Sequence, residues 1–316
     1  MERIVFGRTN LKIAPIGFGA WGISGRDWGK TDDSQSKKAI NKAIDEGMNF
    51  FDTADNYGWG HSENLIAEVL KERQDKHDII IATKAGNNFY PYLDQKHNIS
   101  PGNPDYSKKH LIFAVEQSLK RLNRDRIDIL QLHSPSLSMV EDEEAFEALE
   151  ILKIQGKVKH AGWSIASFAE TEQADMVEKY NELIDVIQVR YNLLERQAED
   201  KILPVALKYN IGVIARIPLL FGFLSGKFTR KSKFGSDDHR SMNLSAEKLD
   251  SYLKKMELME PFFTKNAKYT KAQLSLKFCI SHPAVHVAIP GCKTEQQVME
   301  NIGAAYIPDS VNINEF

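Results

Sequence analysis

The sequence predicts a (β/α)8 TIM barrel that is preceded by a β-hairpin and carries an extra loop and helix after the seventh barrel strand. Short apolar runs alternate with longer amphipathic segments along all 316 residues. Most of the runs are apolar at every position, as in Ile79-Ile80-Ile81-Ala82, which is typical of parallel strands covered on both faces. No linker or low-complexity tract divides the chain, so we expect one barrel domain over residues 1–316.

The predicted elements follow in order from the N-terminus. Residues 3–6 and 12–16 flank a turn and predict the hairpin. The eight barrel strands are predicted at residues 15–19, 49–53, 78–83, 127–132, 158–162, 186–189, 212–215 and 285–289. Helices with one apolar stripe are predicted at residues 35–46, 63–71, 108–122, 143–155, 168–180, 197–208, 271–280 and 295–304. The even spacing of the units favours a closed barrel over an open doubly wound sheet.

An insertion follows the seventh barrel strand. Residues 229–244 are polar and charged, and residues 246–263 predict an additional amphipathic helix. A segment inserted there lies on the face of a barrel that carries active sites. Its cations, Arg230, Lys231, Lys233 and Arg240, suit a segment that closes over a cofactor, a contact with an anionic substrate, or a plain surface loop.

Composition excludes several classes of function. The formal net charge is -2, without the basic excess that nucleic-acid binding requires. Cys279 and Cys292 form no Cys-x-x-Cys pattern, which argues against a disulfide framework and favours a reducing compartment. The sequence contains neither an apolar run long enough to span a membrane nor the apolar core of a signal peptide. We therefore expect a cytoplasmic protein that binds neither membranes nor nucleic acid.

The segment Gly17–Gly22 matches the pattern G-x-G-x-x-G of dinucleotide-binding turns. In a Rossmann fold a helix begins at the third glycine. Here the following residues include Gly25, Gly29 and several polar side chains, which predict a loop. We interpret the match as a tight turn after the first barrel strand.

Polar side chains stand at the carboxyl ends of three successive predicted barrel strands. They are Asp52, Lys84 and His133, and Tyr57 follows Asp52 in the next loop. Each has an ordinary explanation alone, as a turn cap, a solvated cation, a core histidine or a packing ring. Because the carboxyl ends of barrel strands meet on one rim, we expect these four side chains to lie together.

Together the four residues suit proton transfer to a carbonyl oxygen. A free tyrosine has a pKa of about 10, too high for efficient acid–base work at neutral pH. We expect the Lys84 ammonium to lower the pKa of Tyr57, and Asp52 to hold that ammonium in place. His133 would orient the carbonyl oxygen or relay a proton. Reduction also needs a hydride, which a nicotinamide or flavin cofactor supplies, and no metal.

The chain resembles the aldo-keto reductase family, in particular its bacterial-type members. The matching segments run nearly end to end and include Gly17-Phe18-Gly19-Ala20-Trp21, Asn49-Phe50-Phe51-Asp52-Thr53-Ala54-Asp55-Asn56-Tyr57-Gly58, Ala82-Thr83-Lys84, Asp128-Ile129-Leu130-Gln131-Leu132-His133, Gly162-Trp163-Ser164, Gln188-Val189-Arg190-Tyr191-Asn192 and Ile289-Pro290-Gly291. The resemblance implies a barrel closed below by the hairpin. It also implies reduction of aldehyde, ketone or sugar carbonyls, or the reverse oxidation, with NADPH.

The same resemblance assigns the cofactor site residue by residue. Gly19, Ala20, Trp21 and Asp52 would flank the nicotinamide side, and Ser164 and Gln188 would hold the carboxamide. Leu219, Gly222, Leu224 and Gly226 would wrap the pyrophosphate. Gly291, Lys293, Thr294, Gln297, Glu300 and Asn301 would surround the adenosine.

Three positions depart from the common family pattern. Arg216 stands where many members have an aromatic ring that stacks on the nicotinamide. Ile165 replaces an asparagine that often follows the serine at position 164. Gln297 stands where an arginine often supports Lys293 at the 2′-phosphate. NADPH is the expected cofactor, and NADH is the alternative.

Substrate contacts are predicted from aromatic residues in the loops after the first three barrel strands. Trp21, Trp59 and Phe89 are the candidates, and packing of the loops is the competing explanation. The substrate, the favoured direction and the oligomeric state do not follow from the sequence.

Two other functions compete with the reductase. One is a regulatory or redox-sensing barrel that binds the cofactor with little turnover. The other is a metal-dependent hydrolase that would use Asp52, His61 and His133, although their spacing offers no compact metal pattern.

Overall fold

Eight parallel strands form the central sheet in the computed structural model, which describes residues 1–26, 28, 31–94, 102–235 and 238–313. In chain order they are β3 (Phe18–Gly19), β4 (Phe50–Asp52), β5 (Ile80–Ala85), β8 (Ile127–His133), β9 (Val158–Ser164), β10 (Ile184–Arg190), β11 (Gly212–Arg216) and β12 (Val287–Ala288). Each strand pairs with its neighbour in this order. Parallel bridges from Ile16 to Ala288 and from Gly19 to Gly291 join the two ends of the sheet. The predicted (β/α)8 barrel is confirmed.

Helices connect the strands around the outside of the barrel. They are α1 (Asp33–Asp45), α2 (His61–Lys71), α3 (Lys108–Leu122), α4 (Glu144–Ile154), α5 (Glu170–Lys179), α6 (Ile202–Lys208), α9 (Lys271–Ser281) and α10 (Glu295–Ile302). The strands are apolar on both faces because one face fills the barrel and the other meets these helices. The first and last barrel strands are shorter than the runs predicted at residues 15–19 and 285–289.

The predicted N-terminal hairpin closes the floor of the barrel. Its strands β1 (Ile4–Val5) and β2 (Lys12–Ile13) pair antiparallel. Phe6 follows β1 and is fully buried in a cluster with inward-facing strand residues such as Phe50 and Ile214. A Cβ atom at Gly212 would lie 2.7 Å from the Phe6 ring, so glycine at the start of β11 makes room for this plug.

Two additional segments lie on the upper rim of the barrel. A short antiparallel pair, β6 (Asn87–Asn88) with β7 (Asn103–Pro104), follows β5 and is not predicted by the sequence pattern. The insertion after β11 contains the short helix α7 (Arg240–Asn243) and the long helix α8 (Ala246–Lys265), which confirms the predicted additional helix.

The glycine-rich segment after β3 leads into a single 3-10 turn, Ala20–Ile23, and not into an α-helix. The interpretation of Gly17–Gly22 as a turn of a barrel is therefore confirmed. Within the described ranges, no helix is both long and apolar enough to cross a membrane.

Candidate active site

The strand register brings the four predicted catalytic residues to one rim. Asp52 ends β4, Lys84 lies near the end of β5 opposite Gln131, and His133 ends β8 opposite Ser164. Tyr57 follows β4 in a turn that includes Gly58 at a φ of 61°. Any side chain at Gly58 would overlap the carbonyl oxygen of Ser24, so the Tyr57 turn packs closely on the loop after β3.

The Lys84 ammonium joins Asp52 to Tyr57. Its Nζ atom lies 2.6 Å from Asp52 Oδ2, 2.8 Å from the carbonyl oxygen of Thr53 and 3.5 Å from the Tyr57 hydroxyl. Lys84 and Asp52 are only 1% and 2% exposed. A buried charge needs such a partner because desolvation is otherwise costly.

Two glutamines complete the environment of Asp52. Gln188 donates from Nε2 to Asp52 Oδ1 over 2.7 Å, and Gln131 donates to the same oxygen over 3.2 Å. Gln188 also donates to Gln131 Oε1 over 3.1 Å. Asp52 is therefore held by an ammonium on one oxygen and by two amides on the other. Gln131 is not among the predicted site residues, although it is a polar side chain in an otherwise apolar part of β8.

Burial and neighbouring charges set the protonation states. Burial raises the pKa of Tyr57, and Lys84 lowers it as expected but offsets the effect of burial only in part, so this pKa lies above its usual value. Burial alone would lower the pKa of Lys84, but Asp52 and Tyr57 raise it above its usual value. Burial, with Lys84 and Arg216, holds the pKa of His133 well below its usual value. At neutral pH the site therefore holds a phenol, an ammonium and a neutral imidazole.

A stack of rings borders Tyr57. The Trp21 ring lies parallel to Tyr57 with centroids 6.0 Å apart, and its centroid lies 4.4 Å from that of His239. His239 also meets Trp28 edge-on at 4.2 Å. Asp238, next to His239, forms an antiparallel bridge with Trp28. The insertion after β11 therefore crosses to the loop after β3. His239 is not among the predicted site residues.

A cavity of about 570 Å³ opens above these residues. Of the predicted catalytic residues, Asp52, Tyr57 and His133 line it, while Lys84 lies behind them. The predicted cofactor residues that line it are Gly19, Trp21, Asp52, Ser164, Gln188, Arg216, Leu219, Gly222, Gly291, Lys293, Gln297, Glu300 and Asn301. The structure thus brings both predicted groups to one cavity.

Four predicted cofactor residues do not line this cavity. Ala20 and Leu224 are fully buried in the core, and Gly226 is an exposed glycine with a φ of 78°. Thr294 caps α10 by accepting a hydrogen bond from the backbone of Gln297 over 3.1 Å. The structure therefore does not place these four residues at the cavity.

Of the three predicted substrate residues, Phe89 is the one that does not line the cavity. Trp21 and Trp59 line the cavity, whereas Phe89 is 0% exposed. Its ring stacks on Tyr90 at 4.3 Å and on Trp59 at 6.1 Å. Phe89 has no polar atom that needs water, so its ring packs between its aromatic neighbours. It contacts Trp59 on the side away from the cavity.

Additional cations line the end of the cavity that contains Lys293. Lys293 Nζ donates to the carbonyl oxygen of Trp28 over 3.2 Å. Lys227 approaches Gly222, and Arg240 pairs with Asp238, while both cations line the same cavity. Burial lowers the pKa of Lys293, and the positive charges of Arg240 and Lys227 lower it further. Lys227 was missed because a lysine in a loop carries no distinctive sequence signal.

The other cations of the insertion differ from Arg240. Arg230 turns away to α8, where it pairs with Asp250 at 2.8 Å and Glu257 at 2.9 Å. This is the behaviour of a surface loop.

The residues of the competing metal site do not assemble. His61 Nε2 lies 2.9 Å from Asp33 Oδ1, and His61 does not line the cavity with Asp52 and His133. In the described ranges, no cluster of three or more histidine, cysteine or acidic side chains is arranged to hold a metal ion.

Comparison with known proteins agrees with this geometry. Residues 15–312 match the Aldo/keto reductase family. The chain is 31% identical over 300 residues to the aldo-keto reductase YhdN of Bacillus subtilis, covering 94% of this chain and 87% of that protein. It is 28% identical over 309 residues to a probable voltage-gated potassium channel subunit beta of Arabidopsis thaliana, covering 94% and 89%.

A solved structure of similar fold is the glycerol dehydrogenase AKR11B4 from Gluconobacter oxydans. It superposes with a TM-score of 0.82 at 29% sequence identity, over 99% of this chain and 94% of that one. The family match spans nearly the whole barrel and includes the Asp52, Tyr57, Lys84 and His133 positions. The chain therefore belongs to the aldo/keto reductase family and is an oxidoreductase.

Proposed function

We propose that this oxidoreductase uses NADPH to reduce the carbonyl group of aldehydes, ketones or sugars, with Tyr57 as the proton donor. The observation that carries the proposal is the contact of the buried Lys84 ammonium with both Asp52 and Tyr57 beneath the cavity. A phenol held in this way has a cation at the position where negative charge develops when its proton leaves. The reverse oxidation would use the same residues in the opposite order.

The chain's own residues account for the proton transfer. Tyr57 gives its hydroxyl proton to the carbonyl oxygen, and Lys84 stabilises the resulting phenolate. Asp52 keeps Lys84 charged and in place. His133 stays neutral, so it can donate a hydrogen bond to the carbonyl oxygen without adding charge. When bound, the reduced nicotinamide supplies the hydride that the carbonyl carbon receives.

The cavity fits a dinucleotide cofactor. Ser164 and Gln188 present a hydroxyl and an amide at the ends of neighbouring strands, which suits a carboxamide. At Gly291 a Cβ would meet no protein atom within 4 Å, so a ligand can approach the backbone there.

The charge of the cavity favours NADPH over NADH. Lys293, Lys227 and Arg240 line one end of it, and Arg240 and Lys227 repel the Lys293 ammonium although Asp238 pairs with Arg240. An additional phosphate relieves that repulsion and accepts charge-assisted hydrogen bonds. NADH lacks this phosphate and gains less from the three cations.

The walls near Tyr57 fit a carbonyl compound with an apolar or sugar face. Trp21, Trp28 and Trp59 line this part of the cavity, and the Arg26 guanidinium lies 3.7 Å above the Trp59 ring. Indole faces pack against aliphatic chains and against sugar rings alike. The proposal therefore covers aldehydes, ketones and sugars as one substrate class.

A substrate screen with NADPH and NADH side by side tests the proposal. Aldehydes, ketones and sugars are supplied for reduction, and polyols and sugars with the oxidised cofactors for the reverse reaction. We expect the absorbance of the reduced cofactor to decline with at least one carbonyl compound, and faster with NADPH. Binding of neither cofactor, or no turnover in either direction, would contradict it.

A second candidate function rests on the similarity to the potassium channel subunit. In that case the barrel binds NADPH and reports its redox state with little turnover. Tight NADPH binding, measured by titration, together with negligible turnover on the whole panel would favour this candidate.

A further inference from the structure

Arg216 occupies a distinctive place in the cavity. It ends β11, and its Cα is the register partner of Arg190 on β10. Its Nη2 donates to the carbonyl oxygen of Ile165 and to Ser167 Oγ, both over 3.0 Å. These acceptors lie one and three residues after Ser164, which ends β9. The guanidinium therefore lies beside the Ser164 and Gln188 pair that suits a carboxamide.

The neighbouring arginine is neutralised, but Arg216 is not. Arg190 forms two hydrogen bonds of 2.6 Å with the carboxylate of Glu195. In the described part of the chain, the acceptors of Arg216 are neutral and its buried Nε has no hydrogen-bond partner. The carboxylates of Glu170 and Asp52 act on Arg216 only through space, without a hydrogen bond to it. Arg216 thus brings to the cavity a positive charge whose hydrogen-bond acceptors are neutral.

We propose that Arg216 weakens binding of the oxidised cofactor relative to the reduced one, and thereby favours carbonyl reduction. The inference rests on the proposed function, because it assumes a nicotinamide held at Ser164 and Gln188. The two forms carry the same phosphates, riboses and adenine. They differ by a hydride. Loss of this hydride, with its two electrons, leaves a positive charge on the oxidised ring.

The comparison of the two forms isolates the effect of Arg216. Under the proposed function, Lys227, Lys293 and Arg240 would face phosphates that both forms share, so their contributions cancel in the ratio of the two dissociation constants. A positive charge at Arg216 repels only the oxidised ring, and solvent screens this repulsion only in part, because Arg216 is half-buried. A planar guanidinium can stack on the oxidised ring and on the reduced ring alike. Stacking therefore does not distinguish the two forms by their charge.

Dissociation constants of NADP⁺ and NADPH test the proposal without any turnover. Binding is followed by quenching of tryptophan fluorescence, since Trp21 and Trp28 line the cavity. In the wild type we expect NADP⁺ to bind about tenfold more weakly than NADPH, which corresponds to about 1.4 kcal/mol. Equal binding of the two forms by the wild type would overturn the proposal before any variant is made.

Two substitutions then separate charge from shape. Arg216→Gln removes the charge, and we expect the ratio of the two constants to fall about tenfold toward one. Arg216→Lys keeps the charge without the plane, and we expect a ratio close to that of the wild type. Arg230→Gln is the matched control, because it removes an exposed arginine that is paired with Asp250 and Glu257 outside the cavity.

Thermal unfolding of each variant confirms that the protein is folded before titration. A wild-type ratio in Arg216→Gln, or the same loss in the glutamine and lysine variants, would overturn the proposal. If the wild type bound neither NADP⁺ nor NADPH, the proposed function itself would be wrong. That outcome is distinct from binding of both forms with an unchanged ratio.

Discussion

The Nζ atom of Lys84 lies 2.6 Å from Oδ2 of Asp52, and both side chains are almost completely buried. Such a pair is costly to form and more costly to break, because removal of one partner leaves an uncompensated buried charge. The pair is therefore both a structural and a chemical element of the site, and substitutions can separate the two roles.

Lys84→Met should impair stability and activity together. Asp52 would lose its cation, so the free energy of unfolding should fall by about 3 kcal/mol in urea denaturation. Turnover should fall about a hundredfold or more because Tyr57 loses its stabilising charge. The double variant Asp52→Asn with Lys84→Met should regain much of the stability but none of the activity. Recovery of turnover in the double variant would contradict the role assigned to Lys84.

The pH dependence of reduction should lack a break near neutrality. Burial raises the pKa of Tyr57, so its phenol keeps the proton at every pH below about 10. Because reduction consumes that proton, single-turnover reduction should be constant from about pH 7 to 9.5 and fall above about pH 10. Oxidation needs the phenolate, so the rate of oxidation should increase with pH from about pH 7 to 9.5. A loss of reduction between pH 7 and 8 would contradict this assignment.

Lys293→Met and Lys227→Met should weaken NADPH binding more than NADH binding. Each lysine lines the cavity at its cationic end, and loss of a charge-assisted contact to a phosphate costs about 2 kcal/mol. The NADPH dissociation constant should therefore rise at least tenfold, with little change for NADH. Arg230→Met serves as the control outside the cavity. Equal weakening of both cofactors would show that the two lysines do not select the additional phosphate.

Gly212→Ala should destabilise the barrel floor. The new Cβ would lie 2.7 Å from the Phe6 ring, and overpacking of a filled core costs about 1–3 kcal/mol. Urea denaturation should show this loss, and the additional substitution Phe6→Leu should reduce it. An unchanged free energy of unfolding would mean that the hairpin plug adapts without cost.

The fold was predictable because its signal is local. A run such as Ile79-Ile80-Ile81-Ala82 must be covered on both faces, and in the barrel it meets the interior on one face and helices on the other. The rim placement of Asp52 and His133 followed from the same rule, since both end a strand. The ends of β3 and β12 were less predictable, because apolar residues continue beyond the hydrogen-bonded ladder.

Contacts between distant segments could not be predicted. His239 packs on Trp21 and Trp28 only because the insertion after β11 crosses the rim. Phe89 and Trp59 are both aromatic loop residues, yet only Trp59 lines the cavity. Whether a loop ring lies in a core or at a surface depends on its tertiary neighbours, and the sequence does not state them.

The most direct test of Tyr57 as the proton donor is single-turnover oxidation of bound NADPH in Tyr57→Phe and in the wild type. The assay uses the best carbonyl substrate from the screen. We expect the rate to fall about a thousandfold in the variant, because the phenolic proton is missing. We also expect an NADPH dissociation constant within about twofold of the wild type, since only a hydroxyl is removed. A Tyr57→Phe enzyme that reduces the substrate at the wild-type rate would show that Tyr57 is not the proton donor.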